Sequence, residues 1–389
     1  MTRRHTVADR PRKVVHLTTT DMSLDWLLAP QLLAFADNGY DVVGMSARGP
    51  HVRHLESLGI RHVAVPAFTR STNPLQDVKA FWQLLRLLRA ERPDVLHTHN
   101  PKPGILGRIA GRVVGVPRIV NTQHGIYAQP DDRWQRRWPV YAAERIAAAF
   151  GDVELVQNPE DVDTLVDRLR VPRRKVHLLG NGVDLDRFDP DRLDRVDPDA
   201  RARLRGEWGI APEEVVIGMV GRLVREKGII ELLDAADRLH RQEGGARLVI
   251  VGPADPGKSD AVPDDVMERA VQNRVVFAGQ RNDMPECYRA MDVFVTASWR
   301  EGFPRSAMEA AAMGLPTVAT DIRGNRQVVL DGVTGDLVTP RDATALARAM
   351  GRLVADIGRR NNFSSAARRR ATDHFDQQTV IERTLAAYE

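Results

Sequence analysis

Two carboxylates, Glu301 and Glu309, stand with seven residues between them in the run Trp299-Arg300-Glu301-Gly302-Phe303-Pro304-Arg305-Ser306-Ala307-Met308-Glu309-Ala310. A β-branched stretch, Val293 to Thr296, precedes them and a helical pattern follows. That order puts Glu301 in the loop at a strand's carboxyl end and Glu309 about two turns into a helix opening near Gly302. Carboxylates are strong acceptors for paired hydroxyls, and the first turn of a helix offers free N–H groups to an anionic or hydroxyl-rich ligand. Gly302 permits a close backbone approach. The plain alternative is an N-terminal helix acid plus an exposed Glu. Two cations, Arg222 and Lys227, fall between another strand (Val215 to Val220) and the next helical pattern, in Gly221-Arg222-Leu223-Val224-Arg225-Glu226-Lys227-Gly228. There they could hold a diphosphate, Arg through a forked contact and Lys as a point charge, or form a solvated basic loop. His124, followed by Gly125, ends a strand-like run and stands at a cleft edge or serves as a core or capping His.

Three further patterns carry less chemistry than they suggest. Gly252-Pro253-Ala254-Asp255-Pro256-Gly257-Lys258-Ser259 fits the P-loop spacing. However, Pro253 and Pro256 each remove an N–H from the phosphate cradle. Asp260, Asp264 and Asp265 would set negative charge beside a phosphate, and Pro263 interrupts the helix that must follow. A strand-to-helix surface loop fits better, with a P-loop nucleotide hydrolase or nucleotide-binding regulator as the minor alternative. His97 and His99 form an H-x-H without a third metal ligand nearby in sequence, which favours an acceptor-site or structural role. Asp184-Leu185-Asp186 is one of several D-x-D triplets, the others at 161–163, 189–191 and 197–199. Chance accounts for it, and no essential metal is expected.

The elements that must position these residues follow a regular rhythm. Strand-like runs at Val14 to Leu17, Asp41 to Met45, Arg61 to Val65, Asp94 to His97 and Arg118 to Thr122 alternate with helical patterns. Those patterns cover 22–38, 75–91 and the small-residue stretch 104–114. The rhythm restarts with Val215 to Val220, Arg247 to Val251, Val275 to Ala278, Asp292 to Ala297 and Thr317 to Thr320. Such alternation makes βαβ crossovers and parallel sheets covered on both faces. The 389 residues, 43% apolar and 28% charged, suit two globular α/β domains and exclude a disordered or fibrous chain. Residues 183–212, rich in Asp, Arg and Pro, read as the linker. The expectation is two Rossmann-like doubly wound domains facing across a cleft, with ligands at the strands' carboxyl ends. Net charge is +4 with dispersed basic residues, which argues against a nucleic-acid partner. The one cysteine, Cys287, excludes an intramolecular disulfide. No apolar run reaches the roughly 18 residues of a membrane span, and no signal-peptide pattern follows the basic start, so a cytoplasmic protein is expected.

With these elements in place, the chain resembles the retaining, nucleotide-sugar-dependent glycosyltransferases of the GT-B fold, family 4 type. The resemblance rests on Glu301-x₇-Glu309 with Gly302, Phe303 and Pro304, on Gly314 to Asp321, on Asp331 to Gly335 and on Gly221 to Gly228. In the first half it rests on His97-Thr98-His99-Asn100, His124-Gly125 and Asn181-Gly182-Val183-Asp184, and it spans residues 13–388. It implies domains at 1–190 and 191–374, with a terminal segment, 375–389, crossing back onto the first. It implies an acceptor-binding first domain and a second that binds a nucleotide sugar, most simply a UDP-sugar, with no essential metal. By the same resemblance Glu301 binds donor-sugar hydroxyls, Glu309 the ribose, the backbone at Phe303 the sugar, and Arg222 and Lys227 the diphosphate. His124 contacts the transferring sugar. Transfer of a hexose or N-acetylhexosamine with retention then follows a same-face substitution rather than the double displacement of two-carboxylate glycosidases.

Two departures bear on the acceptor. Gln327 stands where the family commonly has Glu, and Thr18 to Ser23 replaces its usual Gly-Gly turn, with Thr20, Asp21 and Ser23 as candidates for capping the next helix or meeting the acceptor. Residues 133–149 combine Arg133, Arg136, Arg137 and Arg145 with Trp134, Trp138 and Tyr141. That mixture suits an interfacial surface facing lipid phosphate as well as a helix packed on its own domain. A lipid-linked or polysaccharide-precursor acceptor at the inner membrane face is the expected substrate, with a glycolipid or a small soluble natural product as alternatives.

Overall fold

A computed structural model describes residues 10–69, 73–99, 101–126, 128, 132–243, 246–255, 258 and 260–389. The chain divides into two compact units, Met1–Gly180 with Val380–Glu389, and Asn181–Thr379. The division falls at Gly180 rather than 190, and the returning segment starts at 380 rather than 375. The stretch expected as a linker is instead core of the second unit. Val183, Phe188, Leu204, Trp208 and Ile210 are all buried there, carried partly by two helices, Pro190–Val196 and Ala200–Glu207. Arg205, buried in the second of these, donates to the Asp292 carboxylate and to the Ala290, Pro212 and Glu214 carbonyls. Charge-rich composition hid a packed segment whose arginine makes a hydrogen bond from each of its three nitrogens.

The first unit holds a seven-stranded parallel sheet: β1 (Lys13–Thr20), β2 (Asp41–Ala47), β3 (Arg61–Ala64), β4 (Val95–His99), β5 (Arg118–Gln123), β6 (Val153–Val156) and β7 (Val176–Leu178). The order is β3-β2-β1-β4-β5-β6-β7, so the direction of winding reverses between β1 and β4. The last two strands were not foreseen. Their runs are four and three residues long and are interrupted by Glu154 and His177, so no continuous apolar run marks them. Period-2 alternation sorts the side chains. Val14, Val95 and Val120 face Leu32, Phe35, Val380, Ile381 and Tyr388. Val15, Leu17, Leu96 and Ile119 face the helices Pro74–Glu91 and Pro101–Val114. The small residues of the latter helix do pack on the sheet, since a Cβ at Gly107 or Gly111 would come within 2.7 Å of Leu17, Thr98 or Leu96 side chains. The single helix expected at 22–38 is broken. A π-type turn over Leu24–Leu28 separates Asp21–Ser23 from Ala29–Asp37, where Pro30 lacks the N–H that regular winding needs.

The second unit holds a six-stranded parallel sheet: β8 (Val215–Val220), β9 (Ala246–Val251), β10 (Val276–Gly279), β11 (Val293–Thr296), β12 (Thr317–Thr320) and β13 (Gly335–Val338). Its order is β10-β9-β8-β11-β12-β13, with the reversal between β8 and β11. At such a reversal the loops leaving two adjacent strands diverge to opposite faces and open a crevice at their carboxyl ends. Arg222, Lys227 and Glu301 lie between β8 or β11 and the helix that follows it, and Glu309 lies on the helix after β11. Among the described residues no helix is long and apolar enough to cross a membrane.

Candidate active site

Lys227 occupies a single 3₁₀ turn, Arg225–Lys227, after β8. Gly228 ends that turn at φ +70°, and a Cβ there would lie 2.0 Å from the Ala297 carbonyl oxygen. Only glycine lets this turn sit against the end of β11. The result is a direct ion pair, with Lys227 Nζ 2.5 Å from Glu301 Oε1. Ser298 Oγ donates to the same oxygen at 2.7 Å. Behind it, Thr320 Oγ1 donates to the Ser298 carbonyl, and Asn325 Nδ2 donates to the Thr320 carbonyl. Gly324 closes the back of the loop, for a Cβ there would be 2.5 Å from the Glu301 carbonyl oxygen. Glu301 is thereby held on three sides. Gln327 does not join it, because its side-chain amide donates to the Arg323 carbonyl of its own helix.

Glu309 sits on the helix Arg305–Ala312, which starts three residues later than the sequence pattern suggested, with Pro304 as its N-cap. Glu309 is therefore little more than one turn in. Tyr288 Oη donates to its Oε2 at 2.8 Å, and Arg305 Nε to its Oε1 at 3.1 Å. Burial and the adjacent Glu309 carboxylate hold the Tyr288 phenol well above its usual range, so it stays a donor. Phe303 packs edge-on against Phe375 with ring centroids 5.9 Å apart, and its carbonyl accepts from the Asn181 amide. Gly302 and Pro304 complete the turn between Glu301 and the helix.

Arg222 is paired too, with its Nη1 2.9 Å from Asp255 Oδ2. Asp255 belongs to the segment that resembles a P-loop. In that segment Pro256, Gly257 and Ser259 lie outside the described residues. The next helix, Asp264–Gln272, opens six residues after Lys258 and carries Asp264 and Asp265 in its first turn. Lys258 itself lies beside Asp260. A P-loop needs its lysine at the start of the helix that cradles phosphate, and this segment does not provide that. The Asp184-Leu185-Asp186 triplet has a local explanation, since Asp184 Oδ1 accepts the backbone N–H groups of Asp186 and Arg187.

In the first unit His124 follows β5 and keeps an accessible edge. Burial of the ring lowers its pKa to about 4, while a hydrogen bond with Gln157 opposes the shift. Its Nε2 lies 3.1 Å from His99 Nδ1. His99 and His97 project from β4 to one face, and His16 joins them from β1 as the register partner of His97. The three rings lie together with nitrogens within 4.8 Å of one another, so the H-x-H does have a third neighbour, brought by the fold rather than by the sequence. Asn100 lies outside the described residues. Thr20 makes no cap. Asp21 instead accepts the backbone N–H of His51 at 2.8 Å and ties down the turn after β2.

The residues that sequence reasoning missed are the partners: Ser298, Asp255, Tyr288, His16 and Tyr388. Each lies 3 to 372 positions from the residue it serves. Only Ser298, immediately before the Glu301 run, carried a local signal.

Comparison with known proteins decides the family. The glycosyl transferases group 1 description matches residues 200–370, and Glycosyltransferase Family 4 matches residues 31–187. The UDP-Gal:alpha-D-GlcNAc-diphosphoundecaprenol alpha-1,3-galactosyltransferase of Escherichia coli is 32% identical over 311 residues, 79% of this chain and 78% of that protein. The chain is a GT-B glycosyltransferase of the group 1 and family 4 type. The capsular polysaccharide biosynthesis glycosyltransferase CapM of Staphylococcus aureus is 25% identical over 383 residues, 97% of each chain. In fold the glycosyltransferase resembles Anabaena HepE in complex with UDP, with TM-score 0.79, 22% identity and coverage of 96% of this chain and 98% of that one.

Proposed function

We propose that this glycosyltransferase moves a hexosyl or N-acetylhexosaminyl group, with retention, from a UDP-sugar to a lipid-linked or polysaccharide-precursor acceptor at the cytoplasmic membrane face. The observation that carries the donor half is the Lys227–Glu301 pair at the reversal point of the second sheet. Lys227 and Arg222 each hold a carboxylate that a diphosphate can replace. When phosphate takes Lys227, Glu301 Oε1 keeps its Ser298 bond and regains an acceptor site for a sugar hydroxyl. Glu309, steadied by Tyr288 and Arg305, accepts the ribose hydroxyls. The N-terminal end of the helix Arg305–Ala312 adds partial positive charge where the leaving diphosphate gathers negative charge. No resident metal is required, because these cations supply the counter-charge. His124 contacts the transferring sugar.

The acceptor half is supported by what the relatives act on, by name a diphosphoundecaprenol-linked sugar and capsular polysaccharide, and by one surface of the first unit. Trp134 and Trp138 on the helix Trp134–Phe150 are each 67% exposed. Beside them a hollow of about 330 Å³ is lined by Arg137, Trp138, Tyr141, Arg145 and Arg168. Tyr141 turns inward to pack on the core, so two of the three aromatics are outward. On the helix Pro74–Glu91, Leu75, Val78 and Trp82 form a second exposed stripe at helical spacing. Exposed Trp beside Arg is the composition of a surface that settles at the lipid headgroup level.

The test is nucleotide release from UDP-, GDP- and ADP-sugars by wild type and Glu301→Gln, with phosphatidylglycerol vesicles sedimented in parallel. Slow release of UDP alone, lost in the variant, and co-sedimentation lost on Trp134→Ser plus Trp138→Ser are expected. No binding of any sugar nucleotide would remove the donor assignment. Unbound vesicles with active enzyme would move the acceptor to a small soluble molecule.

A further inference from the structure

Strands β1, β4 and β5 bury an unbroken hydrogen-bonded chain of neutral groups that ends at His124. Thr122 Oγ1 is 2.7 Å from His97 Nε2, and His97 Nδ1 is 2.7 Å from Tyr388 Oη. Tyr388 Oη is 3.2 Å from His16 Nε2, and His16 Nδ1 is 3.1 Å from His99 Nε2. His99 Nδ1 then meets His124 Nε2 at 3.1 Å. Tyr388 comes from the terminal segment, and its ring is pinned by Phe35 and Tyr40. Burial keeps all four imidazoles neutral, with His16 lowered to about 3 and His97 and His99 lowered well below their usual value.

A neutral imidazole has one N–H and one lone pair, so each ring that accepts on one nitrogen must donate from the other. The chain therefore has a single polarity, and its far end sets that polarity. Thr122 is buried and its hydroxyl makes no other hydrogen bond among the described residues. It must donate to His97 Nε2, or its proton is left without an acceptor. His97 then donates from Nδ1 to Tyr388, Tyr388 to His16 Nε2, His16 from Nδ1 to His99 Nε2, and His99 from Nδ1 to His124 Nε2. If Tyr388 instead accepted from both rings, its own buried O–H would be orphaned.

We propose that Thr122, His97, Tyr388, His16 and His99 form a hydrogen-bonded relay of fixed polarity that holds His124 as its Nδ1–H tautomer, so that His124 offers the bound sugar a hydrogen-bond donor and not a base. The five are positioning residues, acting through His124, and the functional half rests on the sugar contact proposed above. Gln157 is a side-chain hydrogen-bond partner of His124, and its amide oxygen can accept this N–H. A metal ion is the competing explanation for clustered histidines, and the rings argue against it. His97 and His99 stack with centroids 4.2 Å apart and planes 27° apart, and His16 and His99 stack at 5.3 Å and 16°. A metal lies in the plane of each ring that binds it, and near-parallel stacked rings do not aim at one in-plane point. Every nitrogen of the three rings already has a hydrogen-bond partner.

The experiment is long-range ¹H–¹⁵N correlation on the full chain labelled with ¹⁵N-histidine, with turnover measured on the same samples. In wild type, His16, His97, His99 and His124 should all appear as neutral Nδ1–H rings, against the ordinary preference of free histidine for Nε2–H. Tyr388→Phe and Thr122→Val should move His124 toward Nε2–H and lower kcat in proportion to the lost Nδ1–H population, with KM for the UDP-sugar unchanged. Thr122→Ser keeps the hydroxyl and should behave as wild type, although it loosens packing more than valine does. An Nε2–H or charged ring in wild type, an unmoved His124 in both Tyr388→Phe and Thr122→Val, a shifted tautomer with unchanged kcat, or one zinc bound per chain through these rings would each overturn the relay. Wild-type turnover by His124→Ala would instead remove the sugar contact and leave the relay, read by the nitrogen shifts, standing.

Discussion

The carboxyl ends of the two sheets are built from opposite materials. At β4 and β5 the first unit gathers neutral rings, each satisfied by its neighbour. At β8 and β11 the second unit gathers charges, each tied to an opposite charge: Lys227 to Glu301, Arg222 to Asp255, Arg305 to Glu309. The difference teaches how a site can be ready for an anion without exposing bare charge. Ion pairs near the surface are weakly held, so a diphosphate can exchange for the carboxylates at small cost. Neutral rings in a dry sheet cannot exchange partners so easily, because an unpaired buried donor or acceptor is expensive. One end is arranged to rearrange, the other to stay.

The first unit does bury charge, on the opposite face of the same sheet, and that is where the contrast can be broken hardest. Arg108, fully buried, donates to Glu144 and Glu154 at 2.6 Å each, and Asn121 and Gln123 complete the cluster. Arg108→Met strands two buried carboxylates and should cost about 3–5 kcal/mol of stability. The urea midpoint checks this, and an unchanged midpoint would mean the cluster is not held by charge.

In the second unit Glu301→Gln keeps shape and removes charge. It should leave the melting temperature nearly unchanged and lower transfer by about a hundredfold to a thousandfold. A stability loss without an activity loss would reverse the roles given to the two ends.

The neutrality of the rings can be read from pH. His16 and His124, with pKa values lowered to about 3 and about 4, stay uncharged in the folded chain well below the value of about 6.5 expected on unfolding. As pH falls the unfolded chain takes protons first, so stability is full above about 6.5 and declines below it. Each ring contributes a slope of up to about 1.4 kcal/mol per pH unit. The carboxylates whose pKa values are lowered, such as Asp292, act only at lower pH. Melting temperature should therefore drop from pH 7 to 5, and His16→Gln should flatten the slope. A flat wild-type curve would mean the rings are protonated when folded.

The smallest effect sharpens the exchange idea. Asp255→Asn frees Arg222 from its counter-ion and should tighten UDP binding by a few-fold, corresponding to about 1 kcal/mol for a partly exposed pair. Calorimetric titration measures it, and weaker binding would show that Asp255 orients Arg222 rather than competing for it.

Much of this was legible in the residues. Ten of the thirteen strands announced themselves as β-branched runs, and β12 matches its expected bounds of Thr317–Thr320. Glu301, Glu309, Arg222 and Lys227 stood out because each lies beside a strand end and a helix start. What was illegible was short or remote. The strands β6, β7 and β13 are three or four residues long and are interrupted by Glu154, His177 and Asp336, where the equally short β12 has no charged or ring-bearing polar residue. The linker assigned to 183–212 failed because composition does not register that Val183, Phe188 and Trp208 share one core.

The order of residues alone determined the alternation of strands and helices, the parallel sheets that alternation demands, and the carboxylates and cations placed at the carboxyl ends of strands. These follow from local periodicity and from the geometry of a strand–loop–helix unit. Only the tertiary structure decided partners: that Lys227 meets Glu301 74 positions away, that Arg222 meets Asp255, and that Tyr388 closes a chain of histidines 372 positions from His16. Strand order and register bring such groups together. Both arise from packing energies summed over whole faces, and no local pattern encodes them.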